Sequence, residues 1–221
     1  MTKITKVKSR QVFDSRGNPT VEAEVYLNNG ISATAISPSG ASTGTFEAHE
    51  LRDQDVNNFL GKSVKLAVKN INEKISPILE GLDPSDQNKI DKLILELDGS
   101  ENKKTLGANA MLAVSLANSK SAAKSNKSSL YKNLGKSFSL PIPLMNIING
   151  GAHADNDLKI QEFMVRPDSA KNFMDAVHKC FLVIQNLKNL LKSKKMLTNV
   201  GDEGGFAPSI QTNEEALELI V

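Results

Sequence analysis

The sequence predicts an α+β unit followed by the opening part of a β/α barrel. Three observations carry this reading: an alternating strand pattern confined to residues before 37, a run of helical periodicities after it, and short apolar strands that alternate with helical segments beyond a polar stretch near residue 137.

From Ile4 to Phe13 and from Thr20 to Leu27, apolar and polar residues roughly alternate and β-branched residues are frequent, as half-buried strands require. Asn28-Asn29-Gly30 supplies residues that tolerate positive φ, and Ile31 to Ile36 resumes the alternation, which makes an antiparallel meander. After a Ser/Gly/Thr-rich loop, Ser37 to Thr45, the period changes: Leu60, Val64, Ala67, Ile71 and Ile75 are spaced for a helix. Asp83-Pro84 reads as a cap and first helical position for a second helix, with Ile90, Leu93 and Leu97 as its stripe and Gly99 as its end. A third helix runs from about Ala108 to Lys124, apolar at Met111, Leu112, Ser115, Leu116 and Ala122, with small residues that allow close packing.

Ser125 to Ser139 is polar and gives way to Leu140-Pro141-Ile142-Pro143, so a boundary near residue 137 divides the chain into 1–136 and 137–221. Beyond it, strands are expected at Ile142 to Ile148, Ile160 to Val165 and Leu197 to Val200, with a helix from Ala170 to Leu191. Roughly three strands are too few to close such a barrel. The last segment, Asn213 to Val221, opens like a helix and shows no stop signal, so the chain is expected to be cut within that helix.

Composition narrows the function classes. Apolar residues at 39% and charged residues at 24% describe a folded globular chain rather than a disordered one. A net charge of +2, without aromatic residues interleaved in a basic patch, argues against nucleic-acid binding. The only cysteine, Cys180, cannot form an intrachain disulfide and sits in an apolar setting as a core thiol. No signal peptide and no apolar run long enough to span a membrane is present, so a cytoplasmic location is expected.

Three glycine-marked clusters carry chemistry-bearing side chains. Ser37-Pro38-Ser39-Gly40-Ala41-Ser42-Thr43-Gly44 offers hydroxyls and amides to a phosphate or a hard cation, but lacks the Lys-Ser/Thr pair of a P-loop and, taken alone, reads first as a surface turn. Asn149-Gly150-Gly151-Ala152-His153-Ala154-Asp155-Asn156 leads to Gln161-Glu162, where paired glycines let backbone approach a ligand, although a lone His is more often structural and no zinc spacing exists. Val200-Gly201-Asp202-Glu203-Gly204-Gly205 puts adjacent carboxylates on a strand, with only one able to enter a given pocket and flanking glycines that imply crowding by something other than side chains.

Read together, Asp14-Ser15-Arg16-Gly17-Asn18-Pro19-Thr20-Val21-Glu22, Pro38 to Gly44, Asn146 to Gly151 with His153-Ala154-Asp155-Asn156, and Gly201 to Gly205 resemble the signature stretches of enolases, in order and along the whole chain. The resemblance implies an N-terminal α+β capping domain followed by the first part of an enolase-type modified β/α (TIM-like) barrel, with one early strand running against the others. It implies a lyase of glycolysis, phosphopyruvate hydratase, which interconverts 2-phosphoglycerate and phosphoenolpyruvate with two Mg²⁺ per site. Weakly acidic protons α to a carboxylate need concentrated positive charge before they can be removed, and metal ions supply it; pairing a Lys or His base with Mg²⁺ is a general feature of such sites.

By the same resemblance Glu203 is the general acid and Glu162 the partner carboxylate that shares its proton work. Gln161 is a substrate contact, His153 lies near the phosphate and reacting end, and Ser42 is a loop ligand to the second Mg²⁺. His49 and His178 match nothing catalytic, and Asp202 is left structural. No lysine here stands in a matching motif, so the base, the ligands of the first Mg²⁺ and the remaining phosphate-holding residues belong to later barrel strands, and the 221 residues alone are expected to be inactive. The resemblance also implies a homodimer and leaves room for the surface pool seen in similar bacterial enolases. Two other readings stand beside it: another enolase-superfamily enzyme, disfavoured by the Ser-Gly-Ala-Ser-Thr-Gly loop, and a non-catalytic module for dimerisation or surface binding.

Overall fold

The computed structural model describes residues 1–40, 43–201 and 204–221, which divide into two compact units, Met1–Phe138 and Ser139–Val221. Each has its own hydrophobic core.

In the first unit, β1 (Ile4–Phe13), β2 (Pro19–Leu27) and β3 (Ser32–Ile36) form an antiparallel sheet in the order β1-β2-β3. The alternation along β2 sends Val21, Ala23, Val25 and Leu27 into the core. The opposite face is polar, with Arg10 paired to Glu22 at 2.5 Å and to Glu24 at 3.6 Å. The turn from β1 to β2 has a side-chain origin: the Asp14 carboxylate accepts from the Arg16 and Asn18 N–H groups at 2.9 Å each, while Gly17 takes φ 78°.

The first helical stretch departs from expectation. Leu60 is exposed in a short 3₁₀ turn, Phe59–Gly61, with φ 54°, and the regular helix starts later as α1 (Lys65–Asn70). It widens into a π-turn, Ile71–Ile75, and resumes as α2 (Ser76–Leu79). Pro77 is the physical reason: it has no N–H to return along the helix, and the Ser76 N–H just before it reaches back five residues to the Ile71 carbonyl. Helix α3 (Gln87–Asp98) is capped by Asp86, whose carboxylate accepts from the Lys89 N–H at 3.2 Å, rather than by Asp83. Asp83 instead accepts from Ser85 N–H at 2.9 Å in the turn before it, while the expected Gly99 stop is present at φ 64°.

Helix α4 (Ala108–Ser125) lies against β2 and β3, its buried Ala110, Ala113 and Ala117 permitting close approach. Leu112, expected in its buried stripe, is exposed. The polar stretch that follows contains a short helix, α5 (Leu130–Leu134), which no periodicity announced.

In the second unit, β4 (Met145–Asn149), β5 (Glu162–Val165), β6 (Val200–Gly201) and β7 (Gly204–Phe206) form a sheet in the order β5-β4-β7-β6. β5 runs antiparallel to β4, and β7 parallel to it. The expected starts at Ile142 and Ile160 are too early, because Pro141 and Pro143 give no ladder N–H and Ile160 precedes the pairing. The strand expected at Leu197 to Val200 shrinks to Val200–Gly201, and Leu197 is exposed. Helix α6 (Phe173–Ser193) begins at its cap Asn172, whose side chain accepts from Asp175 N–H at 2.9 Å, and α7 (Asn213–Ile220) at Thr212. Leu187 and Leu191 of α6 join Ile147, Ile148, Phe163, Phe206 and Leu219 in the core. Cys180 is buried, and burial pushes its thiol pKa up. Among the described residues no helix is long and apolar enough to cross a membrane.

Candidate functional site

Three of the five residues singled out in the sequence meet at the end of β4. The loop after Asn149 folds back on residues 158–161: Gly150 N–H donates to the Gln161 carbonyl at 2.9 Å, Gly151 N–H to the Leu158 carbonyl at 2.8 Å, and His153 N–H to the Gly150 carbonyl at 3.0 Å. A side chain on Gly150 would collide with the Ile160 carbonyl and the Leu158 side chain, and one on Gly151, which has φ 52°, would meet Gln161 Cγ at 2.9 Å. The paired glycines thus let the loop approach its own neighbouring segment closely.

This fold places the His153 ring, almost wholly buried, between two side chains. Gln161 Nε2 lies 2.9 Å from His153 Nε2, and Glu162 Oε1 lies 3.4 Å from His153 Nδ1. An amide nitrogen only donates, so in this arrangement Nε2 accepts and the ring proton sits on Nδ1, facing the carboxylate. Glu162 retains 30% side-chain exposure. The arrangement therefore combines a positioned amide, an imidazole and a carboxylate that remains within reach of a solute, which suits proton transfer.

Sequence reasoning gave no role to Asn149, yet its side chain organises this end of the sheet. It is fully buried; its Nδ2 donates to the Gly204 carbonyl at 2.8 Å and the Gly205 carbonyl at 3.0 Å, and its Oδ1 accepts from Asn146 Nδ2 at 2.5 Å. Asn156 Nδ2 donates in turn to the carbonyls of Asn149, at 3.0 Å, and Pro208, at 3.2 Å. A Cβ on Gly201 would stand 2.6 Å from Asn149 Nδ2 and 2.7 Å from the His153 carbonyl. Gly201 is therefore crowded by a side-chain amide as well as by backbone, where crowding by something other than side chains was expected, whereas a Cβ on Gly204 would meet nothing within 4 Å. The readable signal was an amide closing the apolar run at Ile147-Ile148, since a buried polar group must find partners.

Glu203 and Ser42, the other two residues, lie outside the described residues, as do Asp202 and Ala41. In the first unit, the loop containing Ser42 is anchored on both sides. Arg16 Nη2 donates to the carbonyls of Ser39 at 2.8 Å and Gly40 at 3.0 Å, and Glu47 Oε1 accepts from Gly44 N–H at 2.7 Å. The hydrogen bond from Asn18 N–H, opposed by burial and aided by Arg16, holds the Asp14 carboxyl below its ordinary range, so the turn that presents Arg16 carries a carboxylate. A polar cavity of about 390 Å³ opens beside this loop, lined by Gly40, Thr43, Gly44, Glu47, His49 and Glu50 among others. No group of three or more His, Cys, Asp or Glu residues fit to hold a metal occurs among the described residues.

Residues 4–134 match the family described as "Enolase, N-terminal domain", and residues 137–221 match "Enolase, C-terminal TIM barrel domain". The chain is 58% identical over 223 aligned residues to the enolase of Pelagibacter ubique (strain HTCC1062), an alignment that covers 100% of this chain and 53% of that protein. The chain thus spans about half the length of the curated relative it matches.

Proposed function

The chain belongs to the enolase family, and from that premise we propose that it supplies part of the site of a cytoplasmic phosphopyruvate hydratase, which reversibly dehydrates 2-phosphoglycerate to phosphoenolpyruvate in glycolysis. The observation that supports this most directly is the cluster of His153, Gln161 and Glu162 at the end of β4, where Glu162 is half-buried, within 3.4 Å of His153, and still accessible.

In this reading Gln161 is a substrate contact, and its amide fixes the orientation of the His153 imidazole, which lies near the phosphate and reacting end. Glu203 donates a proton to the 3-hydroxyl as it leaves, and Glu162 shares that proton; two neighbouring carboxylates favour one protonated member because like charges resist joint ionisation. Mg²⁺, when bound, stabilises the negative charge that builds on the substrate carboxylate. The described residues do not by themselves make a metal site, so Ser42 is assigned one ligand position only, and the remaining ligands and the lysine base are assigned to barrel strands beyond those of this chain. The working enzyme is a homodimer in this reading, which sedimentation of the product of the complete reading frame can check.

The test is Mg²⁺-dependent formation of phosphoenolpyruvate, followed by ultraviolet absorbance, for the 221-residue chain beside the product of its complete reading frame. The expected result is activity in the latter alone, abolished by a chelator and restored by Mg²⁺, with Glu203→Gln or Glu162→Gln lowering kcat by about 10²–10⁴-fold. Activity in the 221-residue chain would show that the base lies within it; absence of activity from the complete product would overturn the assignment.

A further inference from the structure

We propose that Lys120 and Lys124 hold the outer edge of β3 closed against strand addition by a second copy of this chain, so that neutralising the two amines turns that edge into a self-pairing surface.

The sheet order puts β3 at one end. Its ladder to β2 uses alternate residues. Leu27 N–H donates to the Ile31 carbonyl and Ser37 N–H to the Val21 carbonyl, at 2.9 Å each. In that register Ala33 and Ala35 turn their backbone groups to β2, while Ser32 and Thr34 turn theirs outward. Outward backbone groups on an edge are a template for another strand, which proteins usually blunt with a charge or a proline in the strand itself. Ser32-Ala33-Thr34-Ala35-Ile36 contains neither. An antiparallel copy centred on Thr34 would set Ser32 opposite Ile36 and put no charge into the new ladder, so β3 is its own complement.

The safeguard comes from α4 instead. Lys120 Nζ donates to the Thr34 carbonyl at 3.3 Å, and Lys124 Nζ to the Ser32 carbonyl at 2.9 Å. Four helical residues advance about 6 Å and two strand residues about 6.8 Å, so lysines one turn apart fall in step with successive outward carbonyls. Asn29, in the turn before β3, donates to the Ser125 hydroxyl at 3.0 Å and ties the end of α4 to the same edge. A docking copy would have to displace both amines and bring like charges from the two chains together, so the lysines oppose pairing by occupancy and by repulsion. The β1 edge is closed by neutral groups. Val7 N–H donates to Ser76 Oγ and Ser9 N–H to Asn72 Oδ1, at 2.9 Å each, and Ile4 exchanges backbone bonds with Gly81 and Leu82. Closure that depends on charge is therefore a property of β3.

The test is sedimentation velocity of the product of the complete reading frame over a range of concentrations, with circular dichroism to check folding. The wild type and the Lys120→Arg, Lys124→Arg double variant are expected to keep a constant mass. The Lys120→Gln, Lys124→Gln double variant is expected to gain mass with concentration, by about twofold as one closed pair forms. Its Ser32 and Thr34 amides should exchange more slowly at the higher concentrations. Adding Thr34→Pro is expected to restore wild-type sedimentation, because the Thr34 N–H lies outside the β2 ladder and proline there removes only the donor that a new strand would use. If the double variant does not fold, Lys124→Gln alone removes the shorter contact and is read in the same way. A neutralised variant that sediments like the wild type, or one whose association survives Thr34→Pro, would overturn the proposal.

Discussion

Asp98 and Gly201 show how much a single position carries here. The Asp98 side chain is buried at the end of α3, where burial alone would raise its pKa. Hydrogen bonds from the Ser100 hydroxyl, the Leu106 N–H at 2.7 Å and the Ser100 N–H at 3.0 Å outweigh that and lower the carboxyl below its ordinary 3.8. A folded pKa below the unfolded one means stabilisation that is complete above the unfolded value and is lost as pH falls below 3.8 through the folded value. Acid titration of urea unfolding should show this loss, and Asp98→Asn should flatten it while lowering stability at neutral pH. Gly201 works by what it lacks. With Asn149 Nδ2 and the His153 carbonyl where a Cβ would stand, Gly201→Ala should destabilise the second unit by about 1–3 kcal/mol, read as faster hydrogen exchange at the Ile147, Ile148 and Asn149 amides.

At the scale of elements, the ends and interruptions follow from local chemistry. Helix α6 starts where Asn172 can accept the Asp175 N–H, although apolar periodicity alone put the start at Ala170. Asn172→Ala should cost about 1 kcal/mol and increase exchange in the first turn of α6 before the rest of the helix responds. The stripe Leu60, Val64, Ala67, Ile71 and Ile75 reads as one helix, yet Pro77 forces a π-turn over Ile71–Ile75, which leaves Ile71, Ile75 and Leu79 all buried despite the changed winding. The hairpin joining β1 to β2 is likewise chemical: Asp14 and Gly17 make the turn, and Arg16 extends from it to the carbonyls of the Ser42-bearing loop. The motif that carried the family resemblance at this point is thus an anchoring device.

Across the whole molecule the two units differ in how completely they cover their apolar surface. The first unit packs its larger core between its sheet and helices, although Phe13, Phe46 and Leu60 among others are exposed there. In the second, β5 and β6 are the edges of a four-stranded sheet, and Leu144, Met164, Phe181, Val200 and Leu217 are exposed. The 221-residue chain should therefore bind a hydrophobic dye more strongly and aggregate sooner than a fragment ending at Phe138, with the two compared by dye fluorescence and light scattering at equal molar concentration. Equal dye binding would show that the exposed side chains of the second unit are covered in solution.

The sequence by itself determined the strands of the meander, α4, the stop at Gly99 and the family, because each depends on a period or a short motif whose meaning is local. It also marked His153 by the paired glycines before it, and Gln161 and Glu162 through the family resemblance. What it left open is what only long-range packing decides: Leu112 outside rather than inside, strand β6 reduced to two residues, and a fully buried Asn149 bound to Gly204 and Gly205. Periodicity reports which residues share a face, but whether that face is covered, and which distant carbonyl satisfies a buried amide, depends on partners more than fifty positions away in the chain.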